Sequence, residues 1–334
     1  MRARDLGIRI GELEAGEHDA ITDVGGIRVG HMTVIEGDHV RTGVTIVLPD
    51  LLPLFAGCHR LNGNGELTGL EWVRESGFLT TPIGLTNTFS VGVVRDAIAA
   101  ESADDDAWSL PVVGETYDGF LNDAKGQHVT TEHTHRALAA ASSGPVGEGN
   151  VGGGTGMICH GFKGGIGTAS RRVDEYLVGV LVQANHGRRR RFRVNGVPVG
   201  ERIGADVVPT PNYDDAGSII GIVATDAPLL PHQCDRLAQR AGLGVARMGG
   251  LGENSSGDLF FAFATGNGPF DGDGGSVSLG MLPNEQIDGL FEAVVDATEE
   301  AILNALLAAE TLSGRAGHTA YALEADLLLE ALAA

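Results

Sequence analysis

Apolar positions recur in two rhythms along this chain. Its first half alternates short β-rich runs with glycine turns, so residues 27–32, 43–48 and 81–85 read as strands and 109–113 as a further strand-like run. The spacing of Val91, Val94, Ala97 and Ile98 predicts a helix over 87–100, capped by Asn87. A helix over 131–141 and a glycine-rich loop over 144–154 follow. Residues 157–170 and 175–185 read as a hairpin of two longer strands. A loop over 200–217, interrupted by proline and glycine, is expected to be open to cleavage. A strand begins at Ser218, a helix opens at Pro231, where proline suits the first turn, and another strand spans 259–265. From Asn284 onward Ile287, Leu290, Phe291, Val294, Val295, Thr298 and Ile302 keep the i, i+3, i+4, i+7 spacing of an amphipathic helix. Sheets covered by helices, in one compact domain over 1–334, are the expected outcome.

Composition narrows the functional classes. Of 334 residues, 43% are hydrophobic, enough for a large core. The 51 glycines form no short repeat, so they read as tight turns and close backbone approaches. A net charge of −21 opposes nucleic acid and anionic membrane as partners. Three cysteines without a CxxC pair argue against a disulfide framework and a thiolate metal site, and fit a reducing compartment. No stretch approaches the ~20 apolar residues of a membrane span, and a cytoplasmic location is expected.

Most rival chemistries fail on spacing. A P-loop is excluded because no GxxxxGK[ST] occurs. Gly152-Gly153-Gly154-Thr155-Gly156 precedes a strand, whereas a dinucleotide fingerprint opens a helix. His128, His133 and His135, with Glu132, are the best metal-type cluster, but they read better as exposed or capping histidines at a helix start. Cys58-His59 and Cys159-His160 are adjacent on strand-like runs, where neighbours point to opposite faces, so neither is expected to pair. The run Arg188-Arg189-Arg190-Arg191 reads as a solvated turn or a contact to an acidic neighbouring subunit.

Attention falls instead on Asp214-Asp215-Ala216-Gly217-Ser218-Ile219-Ile220, an acidic loop that runs straight into a β-branched strand. Breaking the Gly217–Ser218 bond would leave a serine at the head of a buried strand, with its hydroxyl as nucleophile and its own α-amine as base. The plainer reading is a loop that enters a strand. Further on, Ser256 and Asp258 stand two apart, which on extended backbone turns a hydroxyl and a carboxylate to one side.

The chain as a whole resembles the DmpA-like aminopeptidases, the P1 (S58) peptidase family, which includes L-aminopeptidase/D-esterases and β-peptidyl aminopeptidases. The resemblance rests on segments in shared order, among them Leu61-Asn62-Gly63-Asn64-Gly65-Glu66, Leu85-Thr86-Asn87-Thr88 and Val112-Val113-Gly114-Glu115-Thr116-Tyr117-Asp118-Gly119. Gly161-Phe162-Lys163-Gly164-Gly165, Val182-Gln183-Ala184-Asn185, Ala224-Thr225-Asp226-Ala227-Pro228 and Ser256-Gly257-Asp258 continue it. It implies an α+β fold, the four-layer αββα sandwich of the DmpA and ornithine acetyltransferase type. It also implies self-cleavage between Gly217 and Ser218 into an α chain, 1–217, and a β chain, 218–334, assembled as a homotetramer.

By the same resemblance Ser218 is the nucleophile, Asn185 and Tyr117 stabilise the oxyanion, and Ser256 and Asp258 hold the new amino terminus. Some relatives have glutamate where Asp258 stands. Glu115 is the implied receptor of a substrate ammonium group, and Lys163 a further substrate-side residue whose plainer role is a structural ion pair. No metal or other cofactor is implied. The expected activity is release of small N-terminal residues from short peptides, amides or esters through an acyl-enzyme. An acyltransferase or non-peptide amide hydrolase on the same fold, and an uncleaved binding protein, are the alternatives.

Overall fold

A computed structural model describes residues 1–101, 109–211, 217–268, 270 and 276–334. In chain order its main elements begin with β1 (Ile27–Glu36), β2 (Val40–Pro49), β3 (Leu54–Gly63), α1 (Leu70–Ser76), β4 (Phe78–Leu79), β5 (Ile83–Asn87) and α2 (Val91–Ala100). They continue with β6 (Val112–Thr116), α3 (Thr131–Ala139), β7 (Ile158–Cys159), β8 (Phe162–Lys163), β9 (Gly165–Val173), β10 (Tyr176–His186) and α4 (Val199–Arg202). The last third holds β11 (Gly217–Thr225), α5 (Pro231–Arg247), β12 (Gly257–Ala264) and α6 (Asp288–Leu307).

Two sheets carry the molecule. One has the order β1-β2-β5-β6, the other β4-β3-β12-β11-β10-β9. Val29, Val47, Ile83 and Leu85 of the first pack in one cluster with Leu181, Ile220, Ile222, Phe261 and Phe263 of the second, so the sheets face each other across a shared core. The opposite side of the larger sheet, with Val180, Val182, Val223 and Phe260, packs against Leu237 and Ala241 of α5 and Ile302 and Leu306 of α6. Val44 and Ile46 on the outer side of the smaller sheet meet Val91, Val94 and Ile98 of α2 and Ala137 of α3. Both faces of each sheet are therefore covered, which explains why β2 and β12 are buried along nearly their whole length, polar residues included.

Most expected elements appear, with shifts that have local causes. Asn87 does not cap α2. It ends β5, where its Nδ2 donates to Thr42 Oγ1 at 2.7 Å and its Oδ1 accepts the Phe89 N–H at 2.9 Å, and the helix starts beyond Ser90. The expected hairpin exists as β9 and β10, but residues before Gly164 fold into a separate small hairpin of β7 and β8. The loop over 200–217 opens with the short helix α4, and its stretch 212–216 lies outside the described residues. β3 and α1 were not expected: Leu54 to Gly63 is buried at one end and exposed at the other, without the period-2 alternation that marks a strand.

α6 shows what the spacing alone understates. Its polar residues Asp296, Glu299, Glu300 and Asn304 are buried along with the apolar stripe. Glu300 pairs with Arg171 at 2.5 Å and with Arg4 at 2.9 Å, and Asn304 Oδ1 accepts the Ala3 N–H at 2.9 Å. The N-terminal segment therefore closes over the helix and satisfies groups that would otherwise be costly to bury.

Candidate active site

The site grows from the head of β11. Ser218 is the second residue of that strand and is buried, directly opposite Asn185 of antiparallel β10. Its neighbour Ile219 pairs with Asp258 of parallel β12. Gly257, one residue before Asp258, donates its N–H to Ser218 Oγ at 2.9 Å. Gly217 adopts φ +64°, and a Cβ built on it would stand 1.7 Å from the Asn185 carbonyl oxygen. Glycine is thus required before Ser218 on two counts, backbone conformation and space.

Asn185 is held from both ends of its amide. Its Oδ1 accepts the Ile158 N–H at 2.8 Å, and its Nδ2 donates to the Tyr117 carbonyl oxygen at 3.1 Å. These partners fix which end carries the N–H donors, and leave one of the two without a partner among the described residues. Tyr117 follows β6 directly, and its partly exposed side chain lines the clefts on either side of Gly217.

Ser256 and Asp258 close the far side. Ser256 Oγ lies 2.8 Å from Asp258 Oδ2 and 2.8 Å from the Glu253 carbonyl oxygen. Asn62 of β3 pins the loop by donating through Nδ2 to the Glu253 carbonyl at 2.7 Å and the Ser256 carbonyl at 2.6 Å. Burial pushes the Asp258 carboxyl up to about 6; the Ser256 hydrogen bond works against that rise and the nearby Glu253 charge adds to it. Its second oxygen, Oδ1, is buried with no hydrogen-bond partner among the described residues.

A cleft of about 360 Å³ opens over Ser218, lined by Asn64, Glu66, Thr88, Glu115, Tyr117 and Ser255. Glu115 is buried at its wall, and its carboxylate accepts the Glu66 N–H at 3.0 Å and the Thr88 hydroxyl. Burial raises its pKa, while the bonds from Thr88 and Glu66 pull the other way. A second cleft of about 270 Å³ lies beyond Gly217 and Asn185, with Phe120, Ile158, Arg188 and Pro211 in its walls.

The sequence pattern of peptidase family S58 matches residues 19–320. The chain belongs to that family. It is 49% identical over 350 residues to the beta-peptidyl aminopeptidase BapA of Sphingosinicella microcystinivorans, covering 95% of this chain and 88% of the relative. Among solved structures, a Burkholderia sp. beta-aminopeptidase superposes with a TM-score of 0.94 at 54% identity, over 100% of this chain and 98% of the other. The L-aminopeptidase D-Ala-esterase/amidase of Ochrobactrum anthropi, described as a prototype for the serine aminopeptidases and a new variant among the Ntn hydrolase fold, gives 0.92 at 42% identity over 99% and 98% of the two chains.

In this S58 chain, other residues singled out in the sequence stand apart from Ser218. Lys163 is fully buried, and its Nζ donates to the carbonyls of Gly164, Met157 and Gly154 at 2.7, 2.9 and 3.3 Å. It meets backbone oxygens rather than a carboxylate, and lines neither cleft; burial pulls its pKa down to about 7. His133 Nδ1 accepts the Thr130 N–H at 3.1 Å at the start of α3, whereas His128 faces Asp123 and His135 faces Glu101. The arginine run is not simply a solvated turn. Arg189 is buried over the Phe162 ring, 3.3 Å from its centroid, and donates to the carbonyls of His160, Gly161, Ile203 and Val208. Arg191 reaches Glu253 at 2.6 Å within the same chain.

The Cys159-His160 expectation also needs correction. Their ligating atoms, together with one of His186, lie within 4.8 Å of one another. His160 has φ +49°, so the rule of alternating faces does not apply to it. Asn62, Thr88, Glu66 and the Gly257 N–H are site contacts that sequence reasoning did not assign. The first three stand inside the segments that carry the family resemblance, but nothing in their residue types alone signals a role.

Proposed function

We propose that this S58 peptidase is a serine aminopeptidase that matures by breaking its own Gly217–Ser218 bond. Chief support is the junction itself: a glycine in left-handed backbone with no room for a Cβ, followed by a serine whose hydroxyl is held by the Gly257 N–H. In the first reaction Ser218 Oγ attacks the Gly217 carbonyl carbon, and the acyl group passes from nitrogen to oxygen. Water then hydrolyses the ester and frees a Gly217 carboxylate and the Ser218 amine.

That amine is the new base. A free α-amine titrates near 7.7–8.0, so an appreciable fraction accepts a proton at neutral pH. It takes the proton from Ser218 Oγ as the oxygen attacks the substrate carbonyl, then delivers it to the departing amine. The remaining Asn185 Nδ2 hydrogen and the Tyr117 hydroxyl are the donors for the oxyanion, each typically contributing ~3–4 kcal/mol in such a role. Asp258, with its unpartnered Oδ1, and Ser256 hold the new amino terminus. Hydrolysis of the acyl-enzyme by water completes the cycle.

Substrate class follows from the cleft over Ser218. Its modest size suits a small N-terminal residue, and Glu115 at its wall is a carboxylate for the free ammonium group. Short peptides, amides and esters with a free amine are the substrates we infer. Lys163 supports the backbone around Met157 and Gly164 rather than the substrate.

The wider reading is one domain over 1–334 with the αββα sandwich of the DmpA and ornithine acetyltransferase type, cut into 1–217 and 218–334. Support comes from the three apolar clusters, one between the sheets and one on each outer face. A cytoplasmic homotetramer without nucleic-acid or membrane partners fits the charge of −21, and no helix among the described residues is long and apolar enough to cross a membrane.

Denaturing intact mass of freshly purified protein beside Ser218→Ala tests the proposal. Fragments that end at Gly217 and start at Ser218, absent from the variant, are expected. An intact chain in both, stable over days and without amidase activity, overturns it.

A further inference from the structure

One cluster of chemistry-bearing side chains is sealed into the molecule beside the second cleft. Cys159 closes β7, His160 follows in the turn to β8, and His186 closes β10. All three are buried, and their ligating atoms lie within 4.8 Å of one another. Cys159 Sγ stands 3.7 Å from His186 Nδ1. Metal–sulfur and metal–nitrogen bonds of about 2.3 and 2.0–2.1 Å, meeting at roughly 110–120°, separate two such donors by about 3.6–3.8 Å. The observed spacing therefore matches a pair of ligands already in position.

Hydrogen bonding accounts for only part of the cluster: Cys159 Sγ and His186 Nδ1 are within hydrogen-bond reach of each other, and His160 Nδ1 lies 3.4 Å from the Arg188 carbonyl oxygen. His160 Nε2 is buried without a partner among the described residues, and an orphaned buried nitrogen is costly; His186 faces the sulfur through Nδ1. Thiolate and imidazole are soft and borderline donors, suited to copper and zinc rather than to magnesium or calcium.

Charge then selects between them. Arg189 donates to the His160 carbonyl at 3.0 Å, and Lys163 of β8 stands opposite Ile158, the neighbour of Cys159. A divalent ion with a single thiolate would leave a net positive charge in low dielectric next to these groups. A monovalent ion with one thiolate leaves none. Among the described residues no fourth His, Cys, Asp or Glu joins the group to complete a tetrahedral zinc site.

We propose that Cys159, His160 and His186 form a three-coordinate site for a soft monovalent metal ion, Cu(I). On binding, the Cys159 S–H bond breaks, its proton leaves to solvent, and a sulfur–copper bond forms without change of oxidation state. The site supplies no group to the peptidase chemistry proposed above. It joins the β7–β8 hairpin to the end of β10, the two elements that orient Asn185 through Ile158 and the strand itself.

The second cleft is the side from which an ion would approach. The second cleft is lined by Ile158, Gly161 and Gly187, the residues that flank the three ligands. Gly187 has φ +84°, and a Cβ there would stand 2.3 Å from the His160 ring, so no side chain separates that cleft wall from the imidazole.

The test uses full-length protein with Cys58→Ser, because Cys58 is a partly exposed competing thiol. Cu(I) is supplied anaerobically against the chromogenic chelator bicinchoninate. The expected result is one tightly held Cu(I) per chain, a higher Tm with copper, and X-ray absorption that reports one sulfur and two nitrogens. Adding Cys159→Ser removes the copper and the Tm shift. No chelator-resistant copper, a first shell without sulfur, or equal retention after Cys159→Ser each overturns the proposal. The absorption spectrum needs no change at Cys159, so misfolding of that variant does not blunt the test.

Discussion

Ser218 and Asn185 are register partners across β11 and β10, and the Asn185 carbonyl oxygen occupies the space a side chain on Gly217 would need. The proposed nucleophile, its proposed oxyanion donor and the residue before the proposed cleavage bond are thus set by one pair of neighbouring strands. A change to any of them should act on the others.

Gly217→Ala should stop or strongly slow maturation. Its Cβ would fall 1.7 Å from the Asn185 oxygen, and φ +64° is unfavourable for alanine. Strain of this kind costs about 1–3 kcal/mol before any clash is counted. Intact mass over time should show the uncut chain, and thermal melting a lower Tm than Ser218→Ala, which lacks the proposed nucleophile but leaves Gly217 in place.

Asn185→Ala should lower kcat on a small amino-acid amide by about 10²–10³-fold, the usual loss for one oxyanion donor. Removing the amide also frees the Ile158 N–H, so this variant should mature more slowly as well. Steady-state kinetics on the matured fraction checks the first effect, and the fraction cleaved after purification checks the second.

Glu115→Gln keeps the shape of the side chain but removes its charge. A hydrogen bond to a charged group is worth about 1.5–3 kcal/mol, so kcat/KM on free-amine substrates should fall about 10- to 100-fold. Self-cleavage, which presents no free amine, should proceed. Equal loss of both would mean that Glu115 supports the fold through Thr88 and Glu66 rather than the substrate.

Asp258 ties pH to stability in the uncut chain. Burial lifts its folded pKa from 3.8 to about 6, so between those values the folded state holds a proton that the unfolded state has released. Its contribution to stability is present in full below pH 3.8 and lost as pH rises through about 6. In a Ser218→Ala background, Asp258→Asn should therefore gain stability relative to its parent at pH 8 and lose that gain at pH 4. Urea melts at the two pH values measure it. With Ser218 intact, the acidic limb of the activity profile should flatten in Asp258→Asn.

Local sequence was sufficient wherever the chemistry depends on neighbours in the chain. The Gly-Ser junction, the Ser256-Gly257-Asp258 spacing and the periodic stripe of α6 are legible because backbone conformation and strand or helix period act over a few residues. Other features depend on elements far apart in sequence. Asn62 reaches the loop of Ser256 across nearly two hundred residues, and Arg189 becomes a buried clamp only because Phe162 and four carbonyls surround it. His186 joins Cys159 and His160 because β10 returns beside β7, and the left-handed turn at His160 defeats the alternation expected of a strand. Lys163 and the acidic residues of α6 are buried for the same reason: distant backbone and side chains supply partners that no local pattern announces. The sequence by itself determined the Gly217-Ser218 junction and which faces must be covered. Tertiary structure alone decided which polar groups meet, because burial and hydrogen bonding are set by contact in space rather than by order along the chain.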